Sequence, residues 1–86
     1  MPADNRWAIT VAGGEGDTDV VTLNEHAHIR QLRHDGVRDL YGTSVNPDEY
    51  DVLIGGVVAN LDATLEQAGL SDRAEVMILP KDVSRG

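Results

Sequence analysis

The sequence contains no cysteine and no phenylalanine among its 86 residues. The lack of cysteine excludes disulfide bonds, cysteine-ligated metal sites and a thiol nucleophile. Aromatic residues are few, with one tryptophan and two tyrosines, so the core must be built mainly from aliphatic side chains. The hydrophobic fraction of 41% still suits a folded protein, and a chain of this length is expected to form one domain.

Positive charge is scarce as well. Seven lysines and arginines against 15 aspartates and glutamates give a formal net charge of −8. Nucleic acids and anionic membranes are bound largely through lysine and arginine, so this balance argues against both as partners. It favours partner proteins with basic faces, although the same charge also serves simply to keep a chain soluble.

No long apolar segment is present. Residues 1–5 are polar, lack the apolar stretch of a signal peptide and are expected to form a disordered lead. No apolar run approaches the roughly 20 residues of a membrane span. The sequence therefore predicts a cytoplasmic protein without membrane contact, and a monomer is the expected state of such a small, charged domain.

The N-terminal segment predicts a β-hairpin. Apolar residues alternate from Trp7 to Val11, which is typical of a strand with one buried face. The glycine-rich segment 13–17 follows and favours a hairpin loop, because glycine accepts positive φ values. The return strand is expected over 18–23.

The spacing of apolar residues then changes to that of a helix. Apolar or small residues recur every three or four positions from Ile29 to Leu40, the spacing of one helix face. Asn24 is the candidate N-cap. Gly36 is unfavourable inside a helix and is a candidate helix end, with 37–41 as a further turn.

The second half of the chain predicts short strands joined by tight turns. Strands over 50–54 and 57–58 are separated by two glycines, which favour a turn. A short helical turn closed by a glycine is expected within 61–70. The last strand runs from 75 to 79, and Pro80 ends its pairing.

This order of elements predicts an α+β fold. A strand that follows the hairpin and helix must pair centrally, which gives a mixed sheet of about four to five strands wrapped on one main helix. The folded domain is expected over residues 6–80. The polar segment 81–86 is expected to be a flexible C-terminal tail.

The order and spacing of these elements resemble ubiquitin over nearly the whole chain. The patterns align without gaps from Trp7 to Asp35 and from Val45 to Pro80, with a short insertion between. The resemblance implies a ubiquitin-like β-grasp fold. The residues at matching family positions are Trp7, Ile9, Val11, Val21, Leu23, Ile29, Leu32, Val45, Pro47, Val52, Ile54, Gly56, Thr64, Leu65, Leu70, Val76 and Ile78.

The resemblance also implies a function for the C-terminus. In conjugated ubiquitin-like proteins a terminal glycine is adenylated by an activating enzyme, passed to a thiol and joined to targets through an isopeptide bond. Gly86 lies six positions after Pro80, a similar reach, and glycine suits a narrow channel because it has no Cβ. Arg85 stands where the family usually has a second glycine. The expected function is therefore that of a prokaryotic, bacterial protein modifier that is activated and conjugated at Arg85-Gly86.

A partner-binding patch is implied on the exposed face of the sheet. Leu53 and Leu79 occupy two of the family's three aliphatic patch positions, and Met77 replaces a neighbouring histidine. The third position falls on Gly14, so the patch is expected to be smaller. Strand alternation predicts that Leu53, Met77 and Leu79 point away from the core, where clustered apolar side chains favour an interaction site.

Two charged residues beside the patch bear on partner choice. Asp51 stands where ubiquitin has an arginine, and Lys81 keeps a positive charge at the root of the tail. Such a charge reversal implies a dedicated activating enzyme. The resemblance implies a conjugating enzyme, target proteins and a deconjugating protease as further partners. Because Lys81 is the only lysine, chains built through several lysines are excluded and single tagging is expected.

Two other functions remain compatible with the fold, because a fold does not determine a function. One is a non-covalent adaptor, such as the small ubiquitin-like component of a specialised secretion system. The other is a sulfur carrier that ends in a thiocarboxylate, which the single terminal glycine disfavours.

The residues predict no catalytic site, cofactor or metal. His26 and His28 lie two positions apart and do not share a helix face, and neither cysteine nor a carboxylate pair accompanies them. The glycines of segment 13–17 lack the helix and lysine of a phosphate-binding loop. The chain is therefore expected to act through protein contacts and not as an enzyme.

Overall fold

The computed structural model of the chain describes residues 6–85. The predicted disordered lead at residues 1–5 and the predicted conjugation residue Gly86 lie outside the described residues. The elements are β1 (Arg6–Ala12), β2 (Thr18–Asn24), α1 (Ile29–Tyr41), a 3₁₀ turn (Pro47–Glu49), β3 (Tyr50–Ile54), β4 (Val57–Val58), β5 (Glu75–Pro80) and α2 (Lys81–Ser84).

The strands form one five-stranded sheet in the order β2-β1-β5-β3-β4. β1 and β2 pair antiparallel as a hairpin, and β3 pairs antiparallel with both β4 and β5. β5 runs parallel to β1, so the last strand of the chain lies at the centre of the sheet. The predicted α+β fold, a β-grasp with a mixed sheet on one main helix, is confirmed.

Helix α1 packs on one face of this sheet, and the core between them is aliphatic. Ile9 of β1, Leu32 of α1, Val52 of β3 and Ile78 of β5 are all fully buried. Burial alternates along β5, with Val76 and Ile78 inward, as the sequence pattern predicts. Because neighbours of these residues point the other way, the packing of the core also decides which side chains the opposite face displays.

Helix α1 is continuous from Ile29 to Tyr41, so the predicted helix end at Gly36 is wrong. A Cβ atom at Gly36 would collide with Cδ1 of Ile78 and would lie 3.4 Å from Cγ1 of Val11. The glycine is therefore placed by the close approach of the helix to the sheet. Helix propensity contains no information about that approach.

The start of α1 also differs from the prediction. Its N-cap is His28, whose side chain makes no capping hydrogen bond. Asn24 is the last residue of β2 and accepts a hydrogen bond from the backbone N–H of His26 at 2.9 Å. Asn24 lies too far before Ile29 to cap the helix, and it organises the turn after the strand instead.

The predicted helical turn within 61–70 is a single turn around Thr64–Ala68. The backbone N–H of Thr64 donates to Oε1 of Gln67 at 3.0 Å, and the N–H of Gln67 donates to Oγ1 of Thr64 at 3.1 Å. This reciprocal pair has the arrangement of a capping box. Gly69 follows with a φ of 84°, so the expected closing glycine is confirmed.

Polar contacts fasten α1 to the sheet and to the 3₁₀ turn. The hydroxyl of Tyr41 donates to the carbonyl of Ile78 at 2.8 Å, and its ring stacks on Tyr50 with centroids 4.6 Å apart. Arg33 is 3% exposed and donates to Oδ1 of Asp48 at 2.8 Å. These contacts position the connection into β3, and hence the residues that β3 presents on both faces.

We expect Gly36→Ala to lower the free energy of unfolding by up to about 2 kcal/mol. The collision with Ile78 costs about 1–3 kcal/mol as overpacking, whereas alanine returns about 1 kcal/mol of helix propensity. Chemical denaturation measures the change. Ile78→Val removes the colliding methyl group, so Gly36→Ala made in that background is expected to be neutral or stabilising. An equal loss in both backgrounds would contradict the packing account.

Candidate functional site: the outer face of the sheet

The sheet face turned away from α1, here called the outer face, carries a row of neighbouring side chains across all five strands. In register, Thr18 lies beside Ala12, Ala12 beside Met77, Met77 beside Leu53, and Leu53 beside Val58. All but Thr18 are apolar. Met77 is 42% exposed and Val58 39% exposed, so this outer row presents apolar surface near the middle of the sheet.

The predicted patch residues Leu53, Met77 and Leu79 all lie on this face. Leu53 and Leu79 are half-buried, and Gly14 lies so close to Leu79 that a Cβ there would be 3.2 Å from Cδ2 of the leucine. Ala12 and Val58 were not among the predicted patch residues. Alternation assigns a face within one strand, but only the register between strands brings residues from different strands together.

Asp51 lies on the same face but is not an exposed charge. It is the register partner of Leu79, two pairs along from Leu53 and Met77. Its side chain is only 2% exposed, so the negative charge predicted beside the patch is buried in the folded chain. The residues that cover it come from the C-terminal end of the chain.

Three hydrogen bonds hold the Asp51 carboxylate. Its Oδ2 accepts a bond from the hydroxyl of Ser84 at 2.6 Å and one from Nε of Arg85 at 2.8 Å. Its Oδ1 accepts a bond from Nη2 of Arg85 at 2.9 Å. Two parallel N–H donors on the two carboxylate oxygens form a bidentate ion pair, the strongest and most directional kind available to arginine.

This ion pair depresses the pKa of Asp51 below its ordinary value. The hydrogen bonds from Arg85 have the largest effect, and burial opposes them by raising the pKa. The hydrogen bond from Ser84 and the positive charges of Arg85 and Lys81 lower it further. The carboxylate is therefore held ionised in a place where water barely reaches it.

The segment after β5, predicted to be a flexible tail over 81–86, begins with regular structure. Lys81–Ser84 forms the one-turn helix α2, and the backbone N–H of Arg85 donates to the carbonyl of Lys81 at 2.9 Å. The sequence gives no periodic pattern in so short a segment. Ser84 and Arg85 at its end are bonded to Asp51, which is 34 positions away from Arg85. Lys81, the predicted charge at the tail root, is half-buried.

Within residues 6–85, no group of three or more histidine or acidic side chains is placed to hold a metal ion. Nε2 of His26 lies 3.4 Å from Oε1 of Glu25, and Nδ1 of His34 lies 3.3 Å from Oδ1 of Asp35. Each histidine is therefore close to the acidic side chain next to it in the sequence. Over the same part of the chain, no helix is long and apolar enough to cross a membrane.

Comparison with known proteins identifies the fold class. No protein-family model matches the chain, and no curated protein matches it significantly. The N-terminal ubiquitin-like domain of the 4931431F19Rik protein has a similar structure, with a TM-score of 0.74 and 19% identity over 91% of this chain and 77% of that chain. The UBL domain of Plasmodium falciparum Dsk2 gives 0.75 and 9% identity over 87% of this chain and 97% of its own.

A chain of the pParkin-pUb-UbcH7 complex is also similar, with a TM-score of 0.76 and 16% identity. The match covers 88% of this chain but 23% of that one. At these identities the likeness concerns the fold alone. The chain therefore has the ubiquitin-like β-grasp fold, and the residues of the outer face must supply any argument about function.

We expect the Asp51 ion pair to make stability depend on acid pH. A folded-state pKa below the ordinary 3.8 means that the contribution of Asp51 is present above about pH 4 and is lost as pH falls through the folded value. Urea unfolding from pH 7 downward, compared between the wild type and Asp51→Asn, isolates this contribution. The stability difference between the two chains is expected to be constant near neutrality and to shrink below about pH 4.

Asp62→Asn is the matched control for this experiment. Asp62 is 81% exposed and pairs with Arg30 at 2.7 Å on the helix side of the molecule. Identical acid profiles for the Asp51 and Asp62 variants would contradict a special role for the buried carboxylate.

Proposed function

We propose that this chain is a ubiquitin-like protein-binding domain that acts through the outer face of its sheet and catalyses no reaction itself. The observation that carries the proposal is the outer row, in which four apolar residues from four different strands lie side by side. Clustered, exposed apolar side chains on a small charged domain favour contact with a partner protein.

The net charge of the chain supports a protein partner over other kinds. The chain carries a formal charge of −8, which disfavours nucleic acid and anionic lipid. Opposite charge on a partner would steer association and set its orientation, while the apolar row would supply most of the buried area. The partner expected from these features is a protein with an apolar anchor and a basic rim.

We expect a photo-crosslinking side chain placed at position 77 to capture a discrete partner in cells of the source organism. The same group at position 57 is the matched control, because Val57 is 68% exposed but alternation turns it away from Val58 and the outer row. Mass spectrometry identifies the captured protein. Equal capture from both positions would contradict binding through the outer face.

Met77→Asp is then expected to weaken binding of the identified partner by at least about tenfold, because it places a charge within the apolar contact. Val57→Asp is expected to leave the affinity close to that of the wild type. Isothermal titration calorimetry with the purified partner measures both. Met77 is 42% exposed, so its replacement tests binding with little disturbance of the core.

A second candidate is that the chain is a protein modifier of prokaryotic type, activated at Gly86 and conjugated to targets. The sequence position of Arg85-Gly86, shortly after β5, favours this hypothesis. Compared with the first proposal, activation at Gly86 makes one further requirement, which concerns Arg85. Arg85 is bound to Asp51, so an activating enzyme that takes hold of Gly86 would have to draw Arg85 away from the sheet.

If the chain is a modifier, ATP, Mg²⁺ and its activating enzyme are expected to give a reducible conjugate that depends on Gly86. A non-reducing gel and intact mass spectrometry detect it, and deletion of Gly86 is the control. With folded protein and an enzyme shown to be active, the absence of both adenylate and conjugate would contradict conjugation. That outcome would leave the non-covalent binding domain in place.

A further inference from the structure

We propose that Asp51 is a guanidinium-binding site that Arg85 fills within the chain and that an arginine of a partner protein takes over when the partner docks on the outer face. In this exchange Arg85 leaves the carboxylate and residues 81–85 come off the sheet. The inference rests on the proposed function, because it requires that the outer face bind a protein. It identifies the chemical group that a partner presents to Asp51. It also predicts that partner binding releases residues 81–85 from the sheet.

The geometry selects a guanidinium over other cations. Nε and Nη2 of Arg85 donate to different oxygens of Asp51 at 2.8 and 2.9 Å. This spacing matches the planar fork of arginine, which presents two parallel N–H groups to a carboxylate. An ammonium group offers a single centre of charge and cannot make the same pair of bonds. The intramolecular ligand therefore shows which group the site accepts.

Asp51 and Arg85 differ in how much each of them depends on their ion pair. Asp51 is 2% exposed, whereas the Arg85 side chain is 59% exposed. A buried carboxylate without a cation is strongly unfavourable, because its lost hydration is not replaced. A largely exposed guanidinium that leaves the pair returns to water at little cost. While it is covered, by its own C-terminal segment or by a docked partner, Asp51 needs a cation, and the identity of the donor is exchangeable.

Few contacts hold helix α2 on the sheet. It spans four residues, Lys81–Ser84, buries none of them and has no side-chain hydrogen bond at its N-cap. A single isolated turn is unstable in water unless other contacts hold it. The side-chain bonds from Ser84 and Arg85 to Asp51 supply such contacts. Segments with little buried surface are the first to open in folded proteins.

The position of Asp51 links this site to the outer row. Asp51 is paired with Leu79, and the next pair along the same two strands that faces outward is Leu53 with Met77. A partner whose apolar side chain covers Met77 therefore has Asp51 within reach of a neighbouring arginine. Because partner and tail compete for one carboxylate, docking favours tail release, and tail release favours docking to the same extent.

The test uses N-acetyl-arginine amide as the probe and N-acetyl-lysine amide as the matched control. Each is titrated into the full ¹⁵N-labelled chain at neutral pH, and backbone shifts report binding. The chains compared are the wild type, Arg85→Ala and Asp51→Asn. The amide signals of Asp51, Leu79 and Ser84 are the readouts, because these residues surround the carboxylate.

We expect the arginine probe to shift the Asp51 and Leu79 signals in Arg85→Ala with an apparent Kd about tenfold lower than in the wild type. That factor follows if the tail occupies the site about nine-tenths of the time. The lysine probe is expected to bind more weakly in every chain, and Asp51→Asn is expected to abolish the arginine effect. In the wild type, arginine binding is expected to move the Ser84 signal towards that of an unstructured residue.

Equal affinity of the wild type and Arg85→Ala would overturn the proposal, as would equal affinity for arginine and lysine probes. Shifts confined to residues away from Asp51 and Leu79 would overturn it as well. Should Arg85→Ala prove unfolded by its amide spectrum, Arg85→Lys replaces it. That variant keeps a positive charge but loses the fork, so it is expected to bind the arginine probe more tightly than the wild type.

The same variants separate this inference from the proposed function. For the partner identified by crosslinking, Arg85→Ala is expected to raise the affinity of the complex about tenfold, because it removes the arginine that competes for Asp51. If Met77→Asp abolishes partner binding while Arg85→Ala and Asp51→Asn leave it unchanged, the outer face binds a partner and the guanidinium exchange is wrong. If Met77→Asp has no effect, the proposed function itself fails, whatever the small probes show.

Discussion

The close contact between helix α1 and the centre of the sheet is the constraint on which the other features of this domain depend. Gly36 lets the helix lie directly against Ile78. Tyr41 holds the same strand through the Ile78 carbonyl, so β5 is fixed at two points. Once the inward residues of β5 are fixed, alternation fixes Met77 and Leu79 on the opposite face. The interior packing thus orients the surface that is proposed to bind a partner.

The buried carboxylate of Asp51 imposes a second constraint, and it is electrostatic. An ionised group with 2% exposure requires a counter-charge, and the chain meets that requirement with Arg85 from its own C-terminal end. The conformation of α2 is therefore coupled to a charge on β3 instead of to an apolar core. Such an arrangement pairs a carboxylate on the sheet, which needs a cation while it is covered, with an arginine on a short, exposed segment.

The ubiquitin-like fold leaves the function open, because the similar structures share 9–19% identity with this chain. The features of this chain that bear on its function lie on its outer face. The apolar outer row crosses the sheet, and the Asp51–Arg85 ion pair lies beside it. These features suit recognition of a protein that offers an apolar side chain next to an arginine. They are compatible with a separate binding domain and with a modifier whose C-terminus must first leave the sheet.

The sequence alone determined the fold class, the five strands, the main helix and the outward direction of Leu53, Met77 and Leu79, because alternation and helical periodicity are local properties. It did not determine the continuity of α1 through Gly36, the joining of Ala12 and Val58 to the outer row, or the burial of Asp51. Each of these depends on residues distant in the chain. Packing distance, strand register and the pairing of a charge with Arg85 exist only once the tertiary structure has formed, so no local pattern records them.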